Sequence, residues 1–213
     1  MSNKDFFVIS SIPCGILNAL VKNLQKQTET DDPEEAIRRV NSGEWVLRPV
    51  PQKWREENGA IFFSVTSNGL TGEEWITRLE SKGFRVSDYA KQLLRSSDFK
   101  PTFGGNTEIA ILKGELFRDN KRVTKIIRAE AGKRKLGKPN AEVACLIREK
   151  FTDEEIKKMG LIWLITMHDP IKDADGDPGL LGVRRNGDGR WLGAYYDSPD
   201  DGWVRDCGFV FVC

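Results

Sequence analysis

The sequence is poor in the residues from which most catalytic and metal sites are built. Its 213 residues include one histidine, His168, and four cysteines, Cys14, Cys145, Cys207 and Cys213. The cysteines form no C-x-x-C pair and no cluster with the histidine, which argues against a zinc site and a disulfide framework. Cys145 lies inside Ala144-Cys145-Leu146-Ile147, where a thiol acts as a small buried hydrophobe. G-x-S-x-G, P-loop, G-x-G-x-x-G and H-E-x-x-H motifs are all missing. His168 precedes Asp169, but neighbours on a strand point to opposite sides. Glu142 and Glu149 are seven apart and share a helical face only approximately. A hydrolytic enzyme is therefore the third reading of this chain.

An excess of charge is missing too. Lys and Arg number 33 against 32 Asp and Glu, a net charge of +1, so global charge indicates no partner. With 39% hydrophobic and 31% charged residues, the composition fits a folded globular protein and not a disordered or membrane-resident one. No stretch approaches the ~20 apolar residues of a membrane span. The apolar run Phe6–Val21 is interrupted by Ser10, Ser11, Pro13, Gly15 and Asn18, and Lys4 is offset by Asp5. A signal peptide needs a basic start and an unbroken apolar centre. The expected compartment is the cytoplasm, with no membrane.

What the sequence does contain is clear punctuation. Apolar residues at helical spacing run through Gly15–Gln27. Asp32-Pro33-Glu34-Glu35 reads as a helix start, with Gly43 near its end. Trp45–Leu47 and Ala60–Thr66 read as strands, the second opened by an Asn58-Gly59 turn. Thr71 and Ser87 are placed to cap two further helices, and Gly83 to end the first. Ser96–Gly105 is polar and rich in Pro and Gly, the composition of a linker. Beyond it lie an apolar segment Glu108–Phe117, a helix Asn120–Leu136 and a helix capped by Asn140. Thr152-x-x-Glu155 is a capping-box pattern for a short helix ended by Gly160. Leu161–Met167 is a continuous apolar run of strand length, expected as a buried central strand beside Gly208–Val212. The fold class expected is α+β: residues 1–100 as an N-terminal region of helices with short strands, residues 101–213 as a C-terminal part with a mixed or antiparallel sheet.

From Asn186 to Cys207 the composition changes. Trp191, Tyr195, Tyr196 and Trp203 stand among Gly, Asp, Asn, Ser and Arg, a mixture suited to contact surfaces. Much of that set can also be reached from an Asn codon by changes at its two adenines. Trp191-Leu192-x-Ala194-x-Tyr196-Asp197-x-Pro199, followed by Trp203-x-Arg205-x-x-Gly208-Phe209-x-Phe211-Val212, resembles the C-terminal end of C-type-lectin-fold variable proteins, the targets of diversity-generating retroelements. Those proteins end in a G-F-x-x-V strand and carry their variable residues just before it on a rigid scaffold. The resemblance covers about the last fifty residues. Asn140–Asp169 also resembles an uncharacterised bacterial protein family. The first resemblance implies a C-type-lectin-like binding part displaying Asn186, Asp188, Arg190, Tyr195, Asp197, Ser198, Asp200, Asp201, Arg205 and Asp206 to a protein or small ligand. Strand alternation through Ala194-Tyr195-Tyr196 turns Tyr195 outward if its neighbours face inward. Trp191 and Trp203 read as scaffold.

Two further features carry chemistry. Asp173-x-Asp175-Gly176-Asp177 has the alternating carboxylates and glycine that fold around Ca2+, although the bidentate Glu of a full calcium loop is missing. Arg118, Lys121, Arg122, Lys125, Arg128, Lys133, Arg134, Lys135 and Lys138 form a dense basic stretch facing only Asp119 and Glu130. It makes nucleic-acid binding through Arg118–Lys138 the second reading. No aromatic residue is interleaved there, so base stacking is not indicated on that helix.

Overall fold

The computed structural model describes residues 14–45, 52–187 and 189–213. By internal contact they divide into two compact units, Met1–Gln52 and Lys53–Cys213. Ser96–Gly105, marked by composition as a linker, lies inside the second unit. The strands on either side of it pair from Ala60↔Leu112 to Ser67↔Gly105, so no division falls there.

The first unit is a helix pair, α1 (Cys14–Thr28) and α2 (Pro33–Asn41). The Asp32 side chain accepts from the Glu34 amide at 2.9 Å and Pro33 takes the first turn, as the sequence pattern predicts. Hydrogen bonds from Arg38 and then Arg39 pull the Glu35 carboxyl down to about 2. Gly43, at φ +76°, turns the chain after the helix. Trp45 sits in a bend; the rest of the strand expected at Trp45–Leu47 falls outside the described residues.

The second unit is a mixed sheet with helices, an α+β fold. In chain order its elements are β1 (Arg55–Glu57), β2 (Ala60–Ser67), α3 (Gly72–Ser81), β3 (Arg85–Val86), α4 (Asp88–Arg95), β4 (Gly105–Lys113), α5 (Thr124–Lys133), α6 (Glu142–Lys150), α7 (Asp153–Lys158), β5 (Trp163–Thr166), β6 (Ile171–Lys172), β7 (Pro178–Asn186), β8 (Gly189–Tyr196) and β9 (Cys207–Val212). The strand order is β1-β2-β4-β9-β5-β7-β8-β3, with β6 on β7. β9 runs parallel to β5 and β3 parallel to β8; every other pairing is antiparallel. Asn58 and Gly59, both with positive φ, make the tight turn between β1 and β2. Reciprocal capping boxes start α3 at Thr71/Glu74 and α7 at Thr152/Glu155. Gly72 meets α4 so closely that a Cβ there would lie 1.8 Å from the Leu94 carbonyl oxygen.

The sheet's two faces are covered unequally. On one, Trp75 and Leu79 of α3, Leu93 of α4, Ile147 of α6 and Ile156 of α7 pack on Ile61, Ile111, Leu164, Val183, Leu192 and Val210. On the other, Ile127 and Ala131 of α5 cover Leu112, Ile165, Phe209 and Phe211. α5 is shorter than the pattern Asn120–Leu136 predicts, because Arg122 turns inward. Its Nε donates to the Gly114 carbonyl at 2.8 Å and its Nη2 to that of Phe117 at 3.0 Å. Val123 bridges to Gly202 instead of joining the helix.

β5 and β9 lie side by side in the middle of the sheet, as their compositions predict. Phe209 is fully buried, edge-on to Phe117 and Trp203. Phe209→Ala is expected to cost about 3–5 kcal/mol, measured as a lowered denaturant midpoint of the whole second unit.

Candidate functional site

The segment Asn186–Cys207 is not one displayed loop. Its first half is β8, paired with β7 from Gly179↔Tyr196 to Asn186↔Gly189. Gly182 and Gly193 and the alternation of Arg with Trp break the apolar pattern by which a strand is read. The register sets Trp163 of β5 opposite Arg184 of β7, Arg184 opposite Trp191 of β8, and Trp191 beside Arg85 of β3. One face thus carries a row of alternating aromatic and cationic side chains across four strands. The guanidinium of Arg184 lies 5.6 Å from the Trp163 ring centre, and that of Arg85 5.3 Å from the Trp191 ring centre. Such stacking is favourable by roughly 0.5–1 kcal/mol at exposed sites.

The next row on this face is Ile165, Gly182 and Gly193. With two adjacent glycines the floor is low, and the Tyr195 ring lies down over it: a Cβ on Gly182 would meet the Tyr195 Cε2 at 2.8 Å. Tyr195 is consequently half-buried, edge-on to Trp203 at 6.4 Å. The expected alternation holds for Ala194 and Tyr195, which lie on opposite faces, but Tyr195 is half-buried where full display was expected. Ala194 packs towards the main core and Tyr196 is the exposed neighbour. Burial raises the pKa of the Tyr195 hydroxyl, which therefore stays protonated. Trp203 is scaffold as expected: its indole N–H donates to Thr124 Oγ1 at 2.9 Å and its ring packs on Phe209 at 5.9 Å.

Two clefts flank Tyr195 on this face. One, about 300 Å³, is lined by Ser87, Tyr89, Arg184, Trp191 and Gly193. The other, about 340 Å³, is lined by Trp163, Arg184, Trp203 and Val204. Both include Arg184 and Tyr195. Arg85, Arg184 and Arg185 carry no ion pair among the described residues.

The residues expected as ligand contacts do not converge. Asp188 and the Asn186 side chain lie outside the described residues. Arg190 stacks 4.5 Å over Phe84 and donates to the Lys82 carbonyl at 3.3 Å. Asp197 is buried and pairs with Arg128 at 2.9 Å, so it is structural. Asp200 pairs with Lys125. Ser198 is half-buried, while Asp201, Arg205 and Asp206 are exposed on the loop after β8. Trp163, Arg184 and Arg85 escape a reading by composition, because their partnership exists only across strands.

The carboxylates expected to hold Ca2+ lie in a turn closed by one of them. Asp173 Oδ1 accepts from the amides of Asp175 at 3.0 Å and Asp177 at 2.9 Å, and Gly176 takes φ +88°. Among the described residues no three His, Cys, Asp or Glu side chains gather as a metal requires. The basic stretch is largely neutralised. Arg122 is buried, and Lys125, Arg128, Arg134 and Lys138 pair with Asp200, Asp197, Glu130 and Asp169. Only Arg118, Lys121 and Lys135 of the nine carry no ion pair among the described residues. No described helix is long and apolar enough to cross a membrane.

His168 is buried with both ring nitrogens occupied. Nε2 accepts from the Leu181 amide at 2.8 Å and Nδ1 contacts the Asp169 carbonyl oxygen at 2.6 Å, where Nδ1–H is the donor. It pins the end of β5 to β7 and has no nitrogen left for acid–base work.

Two predictions follow from these placements. Asp197→Ala leaves the Arg128 guanidinium partly buried without its counter-ion, and should cost on the order of 3 kcal/mol. Asp200→Ala, in an exposed pair, should change stability by less than about 1 kcal/mol; urea titrations measure both. Burial lowers the pKa of His168 from 6.5. The unfolded chain therefore takes up a proton that the folded one resists, and stability falls as pH drops below about 6.5. The loss in urea midpoint between about pH 7.5 and about pH 5.5 should be smaller in His168→Gln than in the wild type.

No protein-family model, curated protein or solved structure matches the chain.

Proposed function

We propose that the chain is a binding protein and that its binding surface is the uncovered half of the second sheet face. The observation that carries this reading is the row Trp163–Arg184–Trp191–Arg85. α5 buries the β4–β9 side of the same face and leaves this row half-exposed. Soluble proteins seldom leave contiguous aromatic surface open unless something covers it, and Trp, Tyr and Arg are the residues that anchor contacts. The row sits on strands, so its geometry is set before any ligand arrives.

This reading keeps the tail as the binding region and moves its centre. Exposed loop residues Asp201, Arg205 and Asp206 become a rim, and the aromatics on β5 and β8 become the floor. The C-type-lectin-like reading belongs here as part of the same proposal. It is supported by the central placement of the closing Gly208-Phe209 strand and by rigid aromatics just before it.

The test uses arrays of glycans, peptides and oligonucleotides with the wild type, Arg184→Ala and Trp191→Ala. Thermal melts should show both variants folded, with losses of at most about 2 kcal/mol. The expected result is that ligands retained by the wild type are lost by both variants. Retention of nothing by the wild type, or unchanged retention by both variants, overturns the proposal.

A further inference from the structure

Every arginine on the open face that lacks a carboxylate sits beside an aromatic ring. A surface evolved to hold a neutral sugar has no use for Arg85 and Arg184 without counter-ions among the described residues, and a carboxylate-rich peptide has no use for four rings. A ligand that needs both carries planar faces and repeated negative charge. Resting on the binding-face reading above, we infer that this face takes a single-stranded nucleic acid, with successive bases placed in the two clefts that flank Tyr195.

The geometry sets the arrangement. One cleft is walled by Trp191 and Tyr195, the other by Trp163, Trp203 and Tyr195. Tyr195 thus stands between two neighbouring sites, each with aromatic surface for a base, and Arg184 borders both. A phosphate joining the two bases passes over Arg184, whose underside already rests on Trp163. Guanidinium planes that are stacked on rings keep their N–H edges free for phosphate oxygens. Arg85 continues the charged track along the row. Gly182 and Gly193 keep the floor low enough for a flat ring, since a Cβ on Gly182 would strike Tyr195. A duplex is excluded by this arrangement, because its bases are stacked on one another and present no free face. Aromatic platforms with a basic track are how sequence-tolerant single-strand binding is built.

The acidic boundaries fit the same direction. A third cleft, at the Gly179–Tyr196 end of β7 and β8, is lined by Asp173 and Asp177 with Tyr89 and Tyr196. It would repel phosphate, so the strand runs from Arg85 and Arg184 towards Trp203 and not towards that end. The basic stretch Arg118–Lys138 offers no comparable track, being mostly paired within the chain.

The experiment is fluorescence anisotropy of the full chain with labelled oligodeoxythymidylate and oligouridylate about twelve nucleotides long, and with a duplex of the same length. Both single strands should bind more tightly than the duplex, with affinity falling as salt rises. The tighter of the two distinguishes DNA from RNA as the source of the shared chemistry. Arg184→Gln and Tyr195→Leu should each weaken single-strand binding about tenfold and flatten or leave the salt slope respectively, while Lys121→Ala on the basic stretch leaves it unchanged. Circular dichroism confirms that each variant is folded. Duplex binding as tight as single-strand binding overturns the inference, as does loss with Lys121→Ala but not with Arg184→Gln. Should poly-glutamate or an acidic glycan bind in an Arg184-dependent way while the oligonucleotides do not, the ligand class is wrong and the binding face stands. Should no probe respond to Arg184→Gln or Tyr195→Leu, both fall.

Discussion

The second unit depends on the insertion of β9 between β4 and β5. Two groups of strands meet there: β1, β2 and β4 on one side, β5, β7, β8 and β3 on the other. Among the described residues no pairing other than those made by β9 joins the two groups. The last regular segment of the chain therefore closes a sheet whose first strand begins at Arg55, and its contacts are almost all long-range in sequence. Such closure entropy must be overcome before any of the sheet's pairings reward it. The composition Gly208-Phe209-Val210-Phe211-Val212 suits that position: Val210 faces one core and Phe209 and Phe211 the other. Gly208 lets Ile111 and Leu161 approach to distances that a Cβ would forbid.

With the centre closed, the two faces separate in character. Four helices cover one, so it buries an unbroken apolar layer. The other is served by one short helix and the Pro199–Trp203 segment, whose backbone ties to α5 through Lys125 and Arg122. Covering half a face leaves the remaining strands to satisfy their side chains against each other. Arginine on tryptophan is the solution adopted at Trp163 and Trp191. That keeps the rings from presenting bare apolar surface while leaving cationic edges towards solvent.

Several charges that look available for partners hold the scaffold instead. Arg122 donates to three backbone carbonyls, those of Gly114, Phe117 and Trp203. Arg148 is fully buried, donates to the Phe151 carbonyl at 2.7 Å and pairs with Asp153. Arg128 and Asp197 join α5 to the end of β8. Groups of this kind are costly to bury and costlier to leave half-paired, so their presence fixes the loops they touch. It also explains why the densest basic stretch contributes so little free positive charge.

Local grammar was legible without coordinates. Helix starts at Asp32, Thr71, Ser87 and Thr152, the turn at Asn58-Gly59 and the two central strands all follow from caps, dihedral preferences and apolar runs, which act within a few residues. The α+β class follows from those elements alone. What the sequence could not specify was which side chains meet across strands. β8 has too much glycine and too few consecutive apolar residues to read as a strand, and it forms because β7 and β3 pair with it. Trp163 reads as core because it sits in an apolar run, yet the register brings it to the half-covered face opposite Arg184. Tyr195 lies down on the half-covered face because Gly182, thirteen residues away on another strand, leaves room for its ring. Charge balance in the basic stretch was likewise decided by partners such as Asp197 and Asp200, more than sixty residues distant. Short-range stereochemistry is written in the residues themselves, whereas a surface made by strand register exists only once the sheet has closed.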